Sequence, residues 1–315
     1  MRGPMAHEGL PYLDLNTHLR RRFGARVQKI TLDAGLTCPN RDGRVSSGGC
    51  LYCNARGSGT GAWARGLSLK AQMQEGLVRL KARYQASRFI AYFQSFSNTY
   101  APVAQLRALY DEALAFPEVV GLSLGTRPDC LGDEVLDLLA AYAQERLLWL
   151  ELGLQSAHDQ TLKVLNRGHD VACFSRAVAR AAARGLEVVA HVILGLPGEG
   201  AREMAATAAY LAWLPLQGVK IHLLYVVKGS KLARLHQEGA YTCLTEDEYV
   251  RLVADFVELL PPHFVIHRLT GDPHRQELLA PDWCLDKPRV LGRIREEFAS
   301  RGSRQGRRFK AGQAD

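Results

Sequence analysis

Six short apolar, β-branched runs alternate with longer segments of helical period, and this alternation limits the fold more than any other feature. The runs are VQKITL (27–32), RFIAYF (88–93), VVGLSL (119–124), LLWLEL (147–152), LEVVAHVIL (186–194) and VKIHLLYV (219–226). Most are apolar almost throughout, as strands buried on both faces are. Between them, residues 67–84, 103–116, 133–145, 174–185 and 202–214 repeat apolar positions at three and four, and Gly185 is a C-terminal stop. Strand–helix alternation of this kind builds βαβ units and a parallel sheet. With 315 residues, the expected fold is α/β, a partial (β/α)6-type TIM barrel with a C-terminal helical and strand extension. An open doubly wound sheet is the competing topology.

Both topologies bind ligands at the carboxyl ends of their strands. The polar and glycine-rich segments fall there: 36–54 after the first run, then QSFSNTY, GTRPD, GLQS and GLPGE after the next four. Beyond residue 230 the pattern changes. TEDEYVRLVADFVELL (245–260) reads as a helix capped by Thr245 with Glu248 three residues on. FVIHRL (264–269) reads as one more strand and 287–302 as a last helix. The expected division is a barrel with an N-terminal lead-in over 1–230 and a packed extension over 231–315. The basic tail from residue 301 reads as a solvated, frayed end, with nucleic-acid contact as the alternative.

No apolar run reaches the roughly 18 residues of a membrane span, and the first 24 residues hold no apolar leader core. A cytoplasmic protein without membrane contact is expected. Its thiols are then reduced, so neighbouring cysteines read as metal or redox ligands. The net charge of +8 suits an anionic partner.

Three of seven cysteines cluster in LTCPNRDGRVSSGGCLYCN: Cys38, Cys50 and Cys53, spaced C-x11-C-x2-C. A structural zinc site wants four ligands, and His18, His191 and Cys130 are candidates for the fourth. A redox pair needs only Cys50 and Cys53. A [4Fe–4S] cluster on three thiolates leaves one iron open to another ligand. The SSGG before Cys50 lets backbone wrap a bulky cofactor, and Tyr52 offers a ring against which a flat ligand could stack.

A three-cysteine loop after the first barrel strand, with an aromatic before the last cysteine, resembles the radical S-adenosylmethionine (SAM) superfamily, in which the usual spacing is C-x3-C-x2-C. GTRPD (125–129), LELGLQS (150–156) and LNRGHD (165–170) are similar to segments of the elongator catalytic subunit, which acts on tRNA wobble uridine, and of oxygen-independent coproporphyrinogen oxidase. KITLDAGLTCPNRDG (29–43), AYFQSFSNTYAP (91–102), VKIHLLYVVKGSKLA (219–233) and RGSRQG (301–306) resemble the YhcC-like group of that superfamily. The resemblance runs over nearly the whole chain.

It implies that Cys38, Cys50 and Cys53 ligate three irons and that SAM chelates the fourth. Tyr52 would lie against the adenine. Ser97, Asn98 and Thr99 stand where the superfamily has a GGE-type motif for the SAM amino group. Gln155 and Arg167 match a SAM-binding pair, with Arg167 facing the carboxylate. Thr126 and Ser156, in the neighbouring motifs, join the cofactor set, and Gly195 and Gly198 would admit SAM close to the backbone. The reduced cluster would split SAM and give a 5′-deoxyadenosyl radical that takes hydrogen from substrate, fed by a one-electron reductant such as flavodoxin or ferredoxin. Catalytic candidates are Cys130, His191, His222, Tyr225 and Lys228. The elongator likeness and the net charge point to tRNA as substrate. The alternatives are a small metabolite or protein side chain, or a non-enzymatic, zinc-stabilised RNA-binding barrel.

Overall fold

The computed structural model describes residues 9–57 and 59–310. The start of the segment read as lacking a leader, and the end of the basic tail, lie outside them.

Helix α1 (Leu15–Phe23) leads into strict alternation: β1 (Val27–Leu32), α2 (Leu69–Tyr84), β2 (Arg88–Phe93), α3 (Val103–Leu114), β3 (Val119–Thr126), α4 (Asp133–Glu145), β4 (Leu147–Gln155), α5 (Asp159–Val164) with α6 (Val171–Ala182), β5 (Glu187–Leu194), α7 (Ala201–Ala212) and β6 (Gly218–Leu223). The chain then forms β7 (Val226–Val227), α8 (Lys231–Gln237), α9 (Glu246–Leu259), β8 (Val265–Arg268), β9 (Leu278–Ala280) and α10 (Lys287–Ser300).

Seven strands pair in the order β1-β2-β3-β4-β5-β6-β8, all parallel. Each crossover moves one place in the same direction. A doubly wound sheet reverses direction at a switch point, so the sequential order excludes it and gives a curled half-barrel. The strand expected over 219–226 divides: β6 stops at Leu223, and Val226–Val227 turn away to pair antiparallel with β9. The segment expected as an extra strand becomes β8, the seventh of the sheet.

Alternate strand residues face outward onto the helices. Ile30, Leu32, Leu122, Leu124, Leu150, Leu152, Val188 and Ala190 join Met73, Tyr110, Leu139, Phe174 and Leu211 in the main core. Full burial of each such side chain stabilises by roughly 1.5–3 kcal/mol. Gly76 lets α2 approach β1 closely: a Cβ there would lie 2.4 Å from Ile30 Cγ2. Thr245 and Glu248 form the expected reciprocal cap of α9.

The inward faces enclose a lumen. Its lower end is plugged by Leu19, Val27, Ile90, Leu147, Trp149 and Val189. Leu19 belongs to α1, an element the sequence reading did not identify. That helix buries only Thr17 and Leu19, so its period is faint; the caps Asp14, which accepts from Thr17 N, and Gly24, at φ 65°, mark it better.

The basic tail is not a frayed end over its described part. Gln305 is 2% exposed. Its side chain accepts from Leu13 N (2.9 Å) and donates to Pro261 O (2.7 Å) and Phe264 O (2.8 Å). Arg301 pairs with Asp255 and Glu297. The tail ties the N-terminal lead-in to the α9–β8 turn, and Arg301 has structural partners that composition does not reveal. Gln305→Ala strands three backbone groups and should destabilise by about 2–4 kcal/mol, read from the urea unfolding midpoint.

Candidate active site

The long loop between β1 and α2 holds the three cysteines. Cys50 is 4% exposed, and Cys38 and Cys53 are half-buried. Cys53 N donates to Cys50 O at 3.0 Å, which closes a turn and brings the two thiols together. The Cys50 thiol is held well below its ordinary pKa, first by its hydrogen bond with Cys53 and, against burial, by Arg167. Cys38 O accepts from Arg41 N (2.8 Å) and Asp42 N (3.2 Å), which fixes the first half of the loop. Among the described residues, no three His, Cys, Asp or Glu side chains are grouped so as to hold a metal ion. The structure joins Cys50 to Cys53 and leaves Cys38 outside that pair.

Two further groups converge on Cys50. Arg167, 5% exposed, donates from Nη1 to Cys50 Sγ and Tyr52 Oη, both at 3.3 Å, and from Nη2 to Gly153 O at 2.8 Å. Its Nε donates to His169 Nε2 at 3.2 Å. Burial and the Arg167 charge push the His169 pKa down to about 2, so that ring is neutral. Asn40 is fully buried and donates to Cys50 Sγ at 3.6 Å. Asn40 is thus packed against a cysteine. Arg41 lies over the Phe96 ring at 5.4 Å.

The second-strand loop carries SFSNT. Phe96 has φ 62°, the left-handed region, and a non-glycine residue held there marks a strained loop. Asn98 donates to Gly125 O at 2.8 Å. Thr99 Oγ1 bonds Thr126 Oγ1 (2.6 Å) and donates to Cys130 O (2.7 Å). Arg127 is buried and forks onto Asp129 at 2.8 and 2.7 Å. Gln155 ends β4 at φ 77° beside a register shift, a bulge that re-aims the strand end. Ser156 Oγ bonds Glu199. Gly195, at φ 86°, has its carbonyl held by Tyr241 Oη at 2.9 Å. Cys130 is buried, and burial raises its thiol to about 12, which fits an inert packed thiol.

Five buried polar atoms in these loops have no partner: Asn40 Oδ1, Ser95 Oγ, Ser97 Oγ, Asn98 Oδ1 and Arg127 Nη1. Orphaned buried polar groups are rare and costly. Asn40 shares the loop of the thiol pair, and the other four follow β2 and β3 at the same end of the sheet, as the donor set of a polar cofactor would.

Inside the lumen the structure assembles a second group, which the sequence reading largely missed. Glu151 on β4 is fully buried and bonds Lys29 of β1, Ser123 of β3, His191 of β5 (2.5 Å) and Lys220 of β6 (3.0 Å). Lys220 also donates to Tyr92 Oη at 2.6 Å. Burial pushes the Glu151 carboxyl up, but the Lys220 and Lys29 ammoniums outweigh it and hold the pKa well below the carboxylate range. Burial lowers Lys220 to about 7 and His191 to about 4. The available signal was a lone charge in each of three apolar strands: Lys29, Glu151 and Lys220.

His191 therefore lies mid-strand in the lumen, not at the rim, with the His222 ring 5.4 Å away. Tyr225 follows β6, and Lys228 is exposed with its ammonium on Gln276 O. Of the zinc-ligand candidates, His18 packs on Trp149 at the lumen floor and His191 is held by Glu151. His191, His222 and His267 stay neutral well below the ordinary imidazole pKa, chiefly through burial. The unfolded chain then binds more protons, so stability falls as pH drops from about 6.5 toward 4. Urea midpoints taken across that window should decline; a flat profile would refute neutral histidines.

A polar loop cluster with paired thiols at the carboxyl ends of a parallel half-barrel defines a cofactor-dependent enzyme site. Residues 40–211 match the Radical SAM superfamily, and residues 216–300 match the Radical_SAM C-terminal domain. YtqA of Bacillus subtilis is 43% identical over 98% of this chain and 95% of its own length. YhcC of Escherichia coli is 40% identical over 92% and 94%. A tRNA uridine(34) acetyltransferase of Dehalococcoides mccartyi is 31% identical over 49% of this chain and 33% of its own length. The archaeal Elp3 of Methanocaldococcus infernus superposes with a TM-score of 0.67 over 89% of this chain and 64% of that one, at 15% identity, a likeness of fold. The chain belongs to the radical SAM superfamily and is a radical SAM enzyme, with a [4Fe–4S] cluster and SAM as cofactors. Free thiols beside unpartnered hydroxyl, amide and guanidinium atoms fit both groups. The zinc-stabilised, non-enzymatic barrel is thereby set aside. Among the described residues, no helix is long and apolar enough to cross a membrane.

Proposed function

We propose that this enzyme acts on a nucleoside of tRNA, with Cys38, Cys50 and Cys53 as the cluster ligands. The loop bearing Cys38 would close onto the Cys50–Cys53 pair when iron binds. When bound, the cluster and SAM supply one-electron cleavage of a carbon–sulfur bond and a radical that takes hydrogen from substrate. The chain's own residues bind and orient. Ser97, Asn98 and Thr99 offer oxygens to the SAM amino group, Arg167 a guanidinium to its carboxylate, and Tyr52 a ring to its adenine. Thr126, Gln155, Ser156 and Gly195 line the remaining wall. Electrons come from a one-electron donor such as flavodoxin or ferredoxin.

The observation that carries the cofactor assignment is the set of five orphaned polar atoms in the loops around the thiols. Support for tRNA comes from kinship across just under half of the chain with a tRNA uridine(34) acetyltransferase and from the net charge of +8. Arg167→Ala should weaken SAM binding at least tenfold, measured by equilibrium dialysis on reconstituted protein. Nucleoside profiles of tRNA from wild-type and deletion strains test the substrate: one modified nucleoside should disappear on deletion. Identical profiles would move the substrate to a small metabolite or a protein side chain.

A further inference from the structure

The inner face of the sheet carries a polar layer for which the cofactor assignment has no use. Strands β1 to β6 each contribute to it: Lys29, Tyr92, Ser123, Glu151, His191 and Lys220. Strand β8 adds two more. Lys220 pairs in register with Arg268, while Val219 pairs with Ile266, so His267 is an extra residue at a bulge. Such a bulge turns both neighbours toward one face. His267 meets Trp149 at 4.6 Å, and Arg268 is near enough to Lys220 and Lys29 to depress both ammoniums. Below the layer lies the apolar plug of the lumen.

Burying ions costs several kcal/mol each, and apolar side chains of similar volume would serve the fold as well or better. The layer is also out of balance. Two ammoniums share the one Glu151 carboxylate. The carboxylate nearest Arg268 is Asp272, at 3.7 Å and more than half exposed. Both ring nitrogens of His267 are buried without a partner. Lys29 and His191 each keep 16% of the side chain exposed, so the layer is not sealed from solvent. Surplus positive charge with unused donors, reachable from solvent, is the chemistry of an anion site.

We propose that this layer is an oxyanion-binding site for the substrate, taking a phosphate or a carboxylate at Lys220, Arg268 and His267, with Glu151 fixing the two ammoniums. This deepens the reading of the chain as a radical SAM enzyme by naming a chemical class its substrate carries. Calorimetric titration of the cluster-loaded protein tests it with inorganic phosphate, uridine 5′-monophosphate and malonate, and with uridine as the neutral control. At least one anion should bind, and Lys220→Met and Arg268→Gln should each weaken it tenfold or more. Uridine 5′-monophosphate binding at least ten times tighter than uridine assigns the anion to a nucleotide; malonate binding tighter than phosphate assigns it to a small carboxylate. No binding of any anion, or wild-type affinity in the variants, overturns the site. Arg268 sits at the exposed edge, so its variant decides if Lys220→Met does not fold. A tRNA profile altered by deletion together with no anion binding sinks this site alone. Malonate binding with an unaltered profile sinks the tRNA reading alone.

Discussion

Cys53→Ala should abolish both iron retention and 5′-deoxyadenosine release. The wild-type protein, reconstituted without oxygen, should hold about four irons per chain. Cys53 donates its backbone N–H to Cys50 O and shares a thiol hydrogen bond with it. The substitution keeps the turn and removes the sulfur. Iron analysis then separates a ligand from a bystander: the variant should retain fewer than one iron, and full retention would show that Cys53 is not a ligand. Cys130→Ala is the matched control. Its buried thiol is raised to about 12, so iron content should stay at the wild-type level.

Glu151→Ala should destabilise the fold by about 3–5 kcal/mol, the usual cost of stranding a buried charge. Lys29 and Lys220 then face each other across the lumen with only Ser123 and Tyr92 as neutral partners. The same principle makes a second demand. Replacing Glu151, Lys29 and Lys220 together by Met removes the two ammoniums along with their shared carboxylate and should recover most of the loss. Urea midpoints of the single and triple variants decide it. Equal destabilisation in both would mean that packing, not charge, holds the layer together. The triple variant should still bind iron, because the cysteine loop rests on other contacts, including Leu51 N to Leu165 O and Leu232 N to Leu51 O.

Much of the architecture was legible because its signals are local. Five of the six strand segments, and every helix inferred from periodicity, appear within a few residues of their expected places. The exception is informative. Residues 219–226 are apolar without a break, so nothing in them shows where β6 ends. The break after Leu223 follows from Val226 pairing with Ala280, 54 residues on. Helix α1 and the ordered tail escaped for a related reason. Their stability comes from partners far along the chain, as in the bonds of Gln305 to Leu13 and Phe264.

The site divides in the same way. The thiol spacing and the loop motifs named the residues proposed to hold the cofactors. They did not reveal that Arg167 would meet Cys50, 117 residues earlier, or that Asn40 would be buried against the same sulfur. The sequence by itself determined the alternation of strands and helices, the family, and the loops that gather at one rim, because hydrophobic period and turn residues act over short distances. Only the tertiary structure decided which alternate residues of each strand face the lumen. Near-continuous apolar strands look alike on both faces, and the curl of the sheet selects the inner one. That choice put Lys29, His191 and Lys220, from three separate strands, around the single buried carboxylate of Glu151 on a fourth.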